Sequence, residues 1–153
     1  MAPAKTKAIL LIGRKRCRRP LRIMHGAREI AVQKRAKYLG VTLDQGLTFS
    51  GHIEYAKARA ERAVEALGRI MPRTWGAGEG KRRLLASVAD SVVLYAAPVW
   101  RVALCKKRNR ARLRSAQRVL AIRICRAYRT VGTLTALGLA GQIPWEHKAR
   151  ACK

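Results

Sequence analysis

Lys106–Tyr128, which reads KKRNRARLRSAQRVLAIRICRAY, is the stretch that decides the fold of this 153-residue chain. Its apolar residues recur every three or four positions, as on one face of an α-helix. They are Leu113, Ala116, Leu120, Ile124 and Ala127. The arginines outside that stripe are Arg108, Arg110, Arg112, Arg114, Arg118, Arg123 and Arg126. The pattern predicts a long helix with one face in a core and arginines over the rest of its surface.

No acidic residue stands between Asp90 and Glu146, so this helix has no carboxylate of its own. Helices of soluble proteins usually carry both charge signs, often as pairs four residues apart. The whole chain has 34 Lys and Arg against 8 Asp and Glu, a formal net charge of +26. Such an excess opposes compaction unless a polyanion neutralises it. Nucleic acid is the expected partner, because each phosphate contact releases condensed counterions; an anionic membrane surface or an acidic protein is the alternative.

Further helices are predicted on both sides of this stretch. One runs from about Ile53 to Ile70 and is capped by Thr48 or Ser50. Its apolar positions are Ile53, Ala56, Ala60, Ala63, Val64, Leu67 and Ile70. A second helix begins near Glu79–Lys81, and Pro98 ends or kinks it. Its apolar side is predicted to contain Leu84, Leu85, Val88, Val92 and Tyr95. A short helix near Thr133–Leu139 follows the long one, and a Pro-Trp segment at 144–145 closes the chain.

The first third of the chain is predicted to be β-structure. Ala8–Ile12 is an apolar run typical of a buried strand. Leu21–Ile23 pairs antiparallel with Glu29–Val32 across a turn at His25-Gly26. Lys37–Leu43 is predicted as one strand, in which Gly40 marks a bulge or a close backbone approach. The predicted fold class is α+β, with a small antiparallel β-element at residues 1–47 and a three- to four-helix bundle at residues 48–153.

The chain lacks the residue patterns of several other classes of protein. Leu84–Trp100 is short for a bilayer and contains Asp90, so a buried helix is predicted and no membrane partner. The four cysteines form no C-x-x-C pair and no secretory signal precedes them, which predicts reduced thiols in an intracellular protein, nuclear or cytoplasmic. His147 and Cys152 would supply only half a zinc site, so no metal is predicted. No paired aspartates, nucleophile elbow or phosphate-binding loop is present.

Five short motifs, in order along the chain, carry a family resemblance. They are APAKTKAILL at 2–11, KYLGVTLD at 37–44, YAAPVW at 95–100, Gln117-Arg118 with AYRTV at 127–131, and GQIP at 141–144. Each resembles a motif of non-LTR (LINE-type) retrotransposon reverse transcriptases, in the segment that follows the catalytic aspartates. The resemblance implies the edge of the palm and the primer-grip hairpin, followed by a helical thumb. It also implies a parent activity of RNA-directed DNA synthesis with Mg²⁺.

The resemblance assigns expected roles to individual residues. Lys5 matches a lysine near the incoming nucleotide and, without the palm, is a relic or an ordinary surface residue. Tyr38 and Gly40 match the primer-grip strand, with Leu39 expected in a core. Tyr95, Pro98 and Trp100 are expected in the core of the thumb. The seven arginines are expected to contact the backbone of an RNA–DNA or other duplex, or else to form a solvated face.

The resemblance implies two partners that this sequence does not include, the fingers and the part of the palm that carries the catalytic aspartates. The chain alone is therefore predicted to have no polymerase activity and no cofactor. Met1 stands inside a family motif, which predicts a truncated or decayed element copy, or a gene built on one. Two alternatives remain: a stand-alone basic RNA-binding protein, and a non-functional translated remnant.

Overall fold

Short strands, rather than long ones, make up the N-terminal part of the protein. The computed structural model describes residues 7–12, 22–25, 28–70 and 78–152. Within these residues the strands are β1 (Ala8–Ile9), β2 (Ile23–His25), β3 (Arg28–Ile30), β4 (Val32–Gln33), β5 (Arg35–Tyr38) and β6 (Val41–Asp44). The chain divides into two compact units, Met1–His52 and Ile53–Lys153.

The strands of the first unit pair two by two. β2 lies antiparallel to β3, with Met24 opposite Glu29, as the sequence predicted for this hairpin. β5 lies antiparallel to β6. β1 and β4 form a parallel pair with Ala8 opposite Val32, whereas antiparallel pairing was expected throughout. Beyond β1, the Ile12 amide donates to the Gln45 carbonyl at 3.0 Å, which ties the end of the first apolar run to the turn after β6.

The motif at 37–44 is a hairpin, so the prediction of one strand with a bulge at Gly40 is wrong. Tyr38 is paired with Val41, and Leu39-Gly40 forms the two-residue turn between them. Both turn residues have positive φ, 45° at Leu39 and 80° at Gly40, which is the backbone of the turn that matches the twist of paired strands. Glycine adopts this conformation without strain and therefore reverses the chain here. Leu39 is exposed in the turn, so its expected place in a core is also wrong.

Asp44 and His52 fix the segment that leads from β6 into the first helix. Asp44 Oδ1 accepts the Phe49 amide at 3.1 Å, and Asp44 Oδ2 accepts the Thr48 hydroxyl. Burial alone would raise the pKa of this carboxyl, but hydrogen bonds from Thr48 and Phe49 outweigh it and lower the pKa. His52 is buried and its Nδ1 accepts the Thr42 amide at 3.3 Å. Burial lowers the pKa of His52, which favours the neutral ring that this bond requires.

Helices account for most of the second unit. They are α1 (Ser50–Ile70), α2 (Glu79–Leu94), α3 (Ala97–Trp100), α4 (Lys107–Cys125), α5 (Thr133–Leu139) and α6 (Trp145–Ala151), with a 3-10 turn at Arg101–Cys105 before α4. The α+β class is therefore confirmed. The three long helices and α5 lie where the sequence predicted them, except that α2 ends at Leu94 and Pro98 lies in the first turn of α3. The Pro-Trp segment at 144–145 begins a further helix, α6, which the sequence did not predict.

The core of the second unit is formed by α1, α2, α4 and the short helices. The predicted stripe of α4 is buried at Leu113, Ala116, Leu120 and Ile124, and Trp100 and Trp145 are fully buried. Asp90 on α2 accepts Trp145 Nε1 at 2.6 Å and pairs with Lys148 Nζ at 2.5 Å. One of the two aspartates of the chain thus holds α6 against α2.

The buried face of α2 is not the predicted one. Arg82, Ala86, Ala89 and Val93 face the core, whereas Leu84, Val88 and Tyr95 are exposed. Hydropathy favoured the larger residues, but close packing at this site selects the small ones. Trp100 lies in the core as expected, and its Nε1 donates to the Tyr95 carbonyl at 2.9 Å. Tyr95 and Pro98 themselves are exposed, so their expected place in the core is wrong.

The described part of the chain contains no single helix that combines the length and the hydropathy of a membrane span. By length and composition alone, α2 and the segment Ala97–Cys105 meet both requirements together, as a pair bent by 53°.

Candidate nucleic-acid interface

The arginines of α4 leave the helix on two opposite flanks of its buried stripe. At 3.6 residues per turn, Arg112 and Arg123 fall on one flank and Arg110, Arg114 and Arg118 on the other. On the first flank, Arg112 Nη2 pairs with Glu54 Oε1 of α1 at 2.6 Å. Arg123 Nη1 donates to the Val64 carbonyl of the same helix at 2.8 Å.

The second flank of α4 is bound to α6 and to the loop after α4. Arg114 pairs with Glu146 Oε1, and that carboxylate is only 4% exposed. Arg118 Nη2 donates to the carbonyls of Arg129 and Val131, the latter at 3.0 Å. These contacts hold the two guanidinium groups against the body of the unit.

The expectation that these arginines lack internal partners is therefore wrong for four of them: Arg112, Arg114, Arg118 and Arg123. The absence of acidic residues from the sequence around these arginines did not predict their contacts, because their partners come from distant positions in the chain. Two of these partners are the carboxylates of Glu54 and Glu146, on α1 and α6. The others are backbone carbonyls, which no charge pattern reveals. A continuous arginine face along α4 is not formed.

The C-terminal end of α4 carries a further arginine pair. Arg126 caps the helix in a left-handed conformation, with φ of 55°. Arg82 of α2 is fully buried, and its Nη1 donates to the Arg123 carbonyl in the last turn of α4 at 2.9 Å. Burial, and then repulsion by the charge of Arg126, lowers the pKa of Arg82. Sequence reasoning missed Arg82 because a buried arginine cannot be recognised without its carbonyl partner.

Several cations at the N-terminal end of α4 lie outside the core. Lys107 and Arg108 are exposed and Arg110 is half-buried. In the segments that the structure describes, these three make no side-chain hydrogen bond or ion pair. Arg101 Nη1 lies 3.4 Å from the Cys152 carbonyl, so the last turn of α6, with exposed Arg150, lies beside the 3-10 turn that precedes α4. We call Arg101, Lys107, Arg108, Arg110 and Arg150 the basic end of α4.

The local electrostatics of the basic end are unfavourable in the absence of an anion. The first turn of α4 contains no acidic residue, and no side chain caps it. The N-terminus of a helix carries about half a positive charge, so cations there are repelled rather than stabilised. An anion at this end would relieve both the repulsion among the cations and that of the helix dipole.

The other sequence-predicted site residues belong to the first unit. Tyr38 ends β5 with its side chain 65% exposed, and Gly40 follows in the turn. Lys5 lies outside the described residues. The roles predicted for all of these residues stay predictions.

The chain is similar in sequence to proteins of type-1 retrotransposable elements. It is 28% identical over 98% of its length to a 115 kDa protein in the type-1 retrotransposable element R1DM of Drosophila melanogaster. It is 34% identical over 73% of its length to a retrovirus-related Pol polyprotein from an R1 element of Nasonia vitripennis, and 27% identical over 97% to one from Bradysia coprophila. The chain is a segment related to the proteins of R1 non-LTR retrotransposons.

The R1-related segment is much shorter than these proteins. It spans 15% of the length of the Drosophila and Bradysia proteins and 31% of the Nasonia polyprotein. No protein-family profile matches it, and no solved structure does. At the level of the family, the relationship to a retrotransposon reverse transcriptase that the five motifs implied is confirmed.

Proposed function

We propose that this chain is the part of a retrotransposon reverse transcriptase that binds the sugar–phosphate backbone of the template–primer duplex, through the basic end of α4. The observation that carries the proposal is the set of cations at this helix end, where Lys107, Arg108 and Arg110 have no internal counter-charge among the described residues. Two relatives of this chain are Pol polyproteins, and this supports nucleic acid as the class of ligand.

Phosphates suit this site for two physical reasons. Each phosphate that a Lys or Arg neutralises releases condensed counterions, so several cations together give substantial affinity without any base contact. Backbone contacts also hold a duplex without reading its sequence, as copying a template of any sequence requires. An RNA–DNA hybrid and other duplexes fit these requirements equally.

In this proposal the chain contributes binding and the rest of the parent protein contributes the chemistry. The parent would carry out RNA-directed DNA synthesis, with Mg²⁺ held by aspartates that precede the segment in the family. The hairpin β5–β6 would correspond to the primer grip and the second unit to the thumb. The isolated chain is expected to bind a primed template without extending it.

The test is the salt dependence of binding to a fluorescently labelled RNA–DNA hybrid between about 50 and 200 mM salt. The double variant Arg108→Gln/Arg110→Gln should bind more weakly, and the slope of log affinity against log salt should be smaller by roughly two, because two phosphate contacts are lost. The loss should be the same for hybrids of different sequence.

Arg69→Gln/Lys81→Gln is the matched control, because it removes the same charge from exposed positions at the ends of α1 and α2. These ends lie near the C-terminal end of α4, where Gly68 and Arg82 meet Arg123. Equal losses from both double variants would assign binding to net charge and overturn the proposed site. Preference for one structured RNA over a hybrid of equal length would favour a stand-alone RNA-binding protein.

A further inference from the structure

Tyr128 is the most exposed large side chain with apolar character in the described part of the protein, at 82%. It stands in the loop between α4 and α5, where Arg126 and Arg129 flank it and are themselves exposed. Its exposed ring offers a flat apolar face on which a planar ligand can stack. The two neighbouring cations indicate that such a ligand would be anionic.

The loop around Tyr128 is held in one conformation by hydrogen bonds. Arg126 turns the chain out of α4 with its positive φ, and the Ala127 amide donates to the Ile122 carbonyl at 3.1 Å. The Val131 amide donates to the Tyr128 carbonyl at 3.2 Å, which closes a turn. Arg118 then binds the carbonyls of Arg129 and Val131 from below. The backbone of this loop is therefore hydrogen-bonded at several points, while the side chain of Tyr128 stays exposed.

We infer that Tyr128 is a stacking platform for an unpaired base of the bound nucleic acid, with Arg126 and Arg129 placed for the adjacent phosphates. The inference rests on the proposed function and adds a second kind of contact to it. An aromatic ring stacks on a base of any identity, and the two rotatable bonds of tyrosine make its immobilisation inexpensive in entropy. Bases within a duplex are already stacked on one another, so the ligand of Tyr128 is a single-stranded segment.

A protein partner fits this loop less well. A protein would need acidic side chains that complement Arg126 and Arg129 and, beside them, an apolar or aromatic group that covers the ring. The single-stranded overhang of a template supplies both the base and the phosphate in every nucleotide. The basic end and Tyr128 lie at opposite ends of α4, about 28 Å apart along a 19-residue helix. One nucleic acid with a duplex part and an overhang is long enough to occupy both.

The experiment uses two forms of one RNA–DNA hybrid, blunt-ended and with a single-stranded template overhang that carries the fluorescent base 2-aminopurine. The full chain should change the 2-aminopurine fluorescence on binding, because stacking alters its emission. Tyr128→Ala should abolish that change and weaken binding of the overhang substrate about 5- to 150-fold, with blunt-hybrid binding unaltered. Tyr128→Phe should retain both the signal and the affinity.

Leu134→Ala is the control for a general apolar surface, since Leu134 is an exposed apolar residue at the start of α5. It should leave both substrates bound as in the unaltered chain, and equal losses from Leu134→Ala and Tyr128→Ala would overturn the inference in favour of a protein-docking surface. An unchanged signal and affinity in Tyr128→Ala, beside normal salt-dependent binding of the blunt hybrid, would overturn the stacking contact alone. Failure of the chain to bind either substrate would overturn the proposed function and this inference together.

Discussion

The guanidinium of Arg123 occupies the space that a side chain at position 68 would fill. A Cβ placed on Gly68 would lie 1.2 Å from Arg123 Nη1 and 2.3 Å from Cζ. In a helix the carbonyl of each residue is flanked by the side chain four positions later. Gly68 stands four positions after Val64, so its missing side chain exposes the Val64 carbonyl, to which Arg123 donates at 2.8 Å. Gly68 and Arg123 therefore act together to join α1 to α4.

Gly68→Ala is predicted to destabilise the protein, although the same change in a helix ordinarily stabilises by about 0.5–1 kcal/mol. The added methyl displaces Arg123 and breaks a charge-assisted hydrogen bond worth roughly 1.5–3 kcal/mol, so a net loss of about 1 kcal/mol is expected. In an Arg123→Ala background the obstacle is gone, and Gly68→Ala should stabilise by its ordinary amount. Urea unfolding of the four proteins gives the coupling; additive effects would show that the two residues act independently.

The sequence predicted the parts of the fold that depend on local pattern. The stripe through Leu113 and Leu120 located the buried face of α4, and the apolar run at Thr133–Leu139 located α5 with its bounds. Neither inference required knowledge of another element. The periodicity of apolar residues is enough when only one face of the helix is apolar.

Contacts between distant elements were not predictable in the same way. α2 has apolar residues on both sides, so periodicity could not show that Ala86 rather than Leu84 faces the core. The guanidinium groups of Arg118 and Arg123 bind backbone carbonyls, which every residue possesses and no pattern marks. Of the arginines that the sequence placed on one surface, Arg108 and Arg110 are therefore the ones that belong to the basic end of α4.

Gln117 is predicted to be one of the most sensitive polar positions of the second unit. It is fully buried on α4; its Nε2 donates to the Ile143 carbonyl at 2.9 Å and its Oε1 accepts the Trp145 amide at 2.8 Å. Gln117→Leu would leave the buried Trp145 amide and the partly buried Ile143 carbonyl without this partner, at roughly 1–3 kcal/mol for the buried amide and less for the carbonyl. A loss of about 2–5 kcal/mol in urea unfolding is expected, whereas Ser115→Ala, on the exposed side of α4, should change stability by less than about 0.5 kcal/mol. Similar small effects from both variants would show that α6 does not depend on Gln117.

His52 is predicted to make the stability of the protein depend on pH below about 6.5. Burial lowers its pKa below the ordinary value of 6.5, so the unfolded chain binds more protons than the folded one as the pH falls through that value. The contribution of the neutral ring is therefore complete above pH 6.5 and is lost below it, toward the folded-state pKa. Melting temperatures between pH 7.5 and 5 should fall for the unaltered chain and fall less for His52→Gln. An equal slope in His52→Gln and in the unaltered chain would contradict the assignment.

Arg108 and Arg118 are predicted to respond to substitution in opposite ways, although the sequence placed them on one arginine surface. Arg118→Gln removes the guanidinium whose Nη2 donates to the carbonyls of both Arg129 and Val131, so the loop after α4 should loosen. Stability should fall by about 1–3 kcal/mol, and amide exchange at residues 127–131 should accelerate. Arg108→Gln removes an exposed charge and should leave stability within about 0.5 kcal/mol while it weakens hybrid binding. Urea unfolding, hydrogen exchange and hybrid binding of both variants decide the matter. If both variants lowered affinity equally and left stability unchanged, the two arginines would share a nucleic-acid-facing surface after all, and the bonds of Arg118 to the loop would contribute nothing to its order.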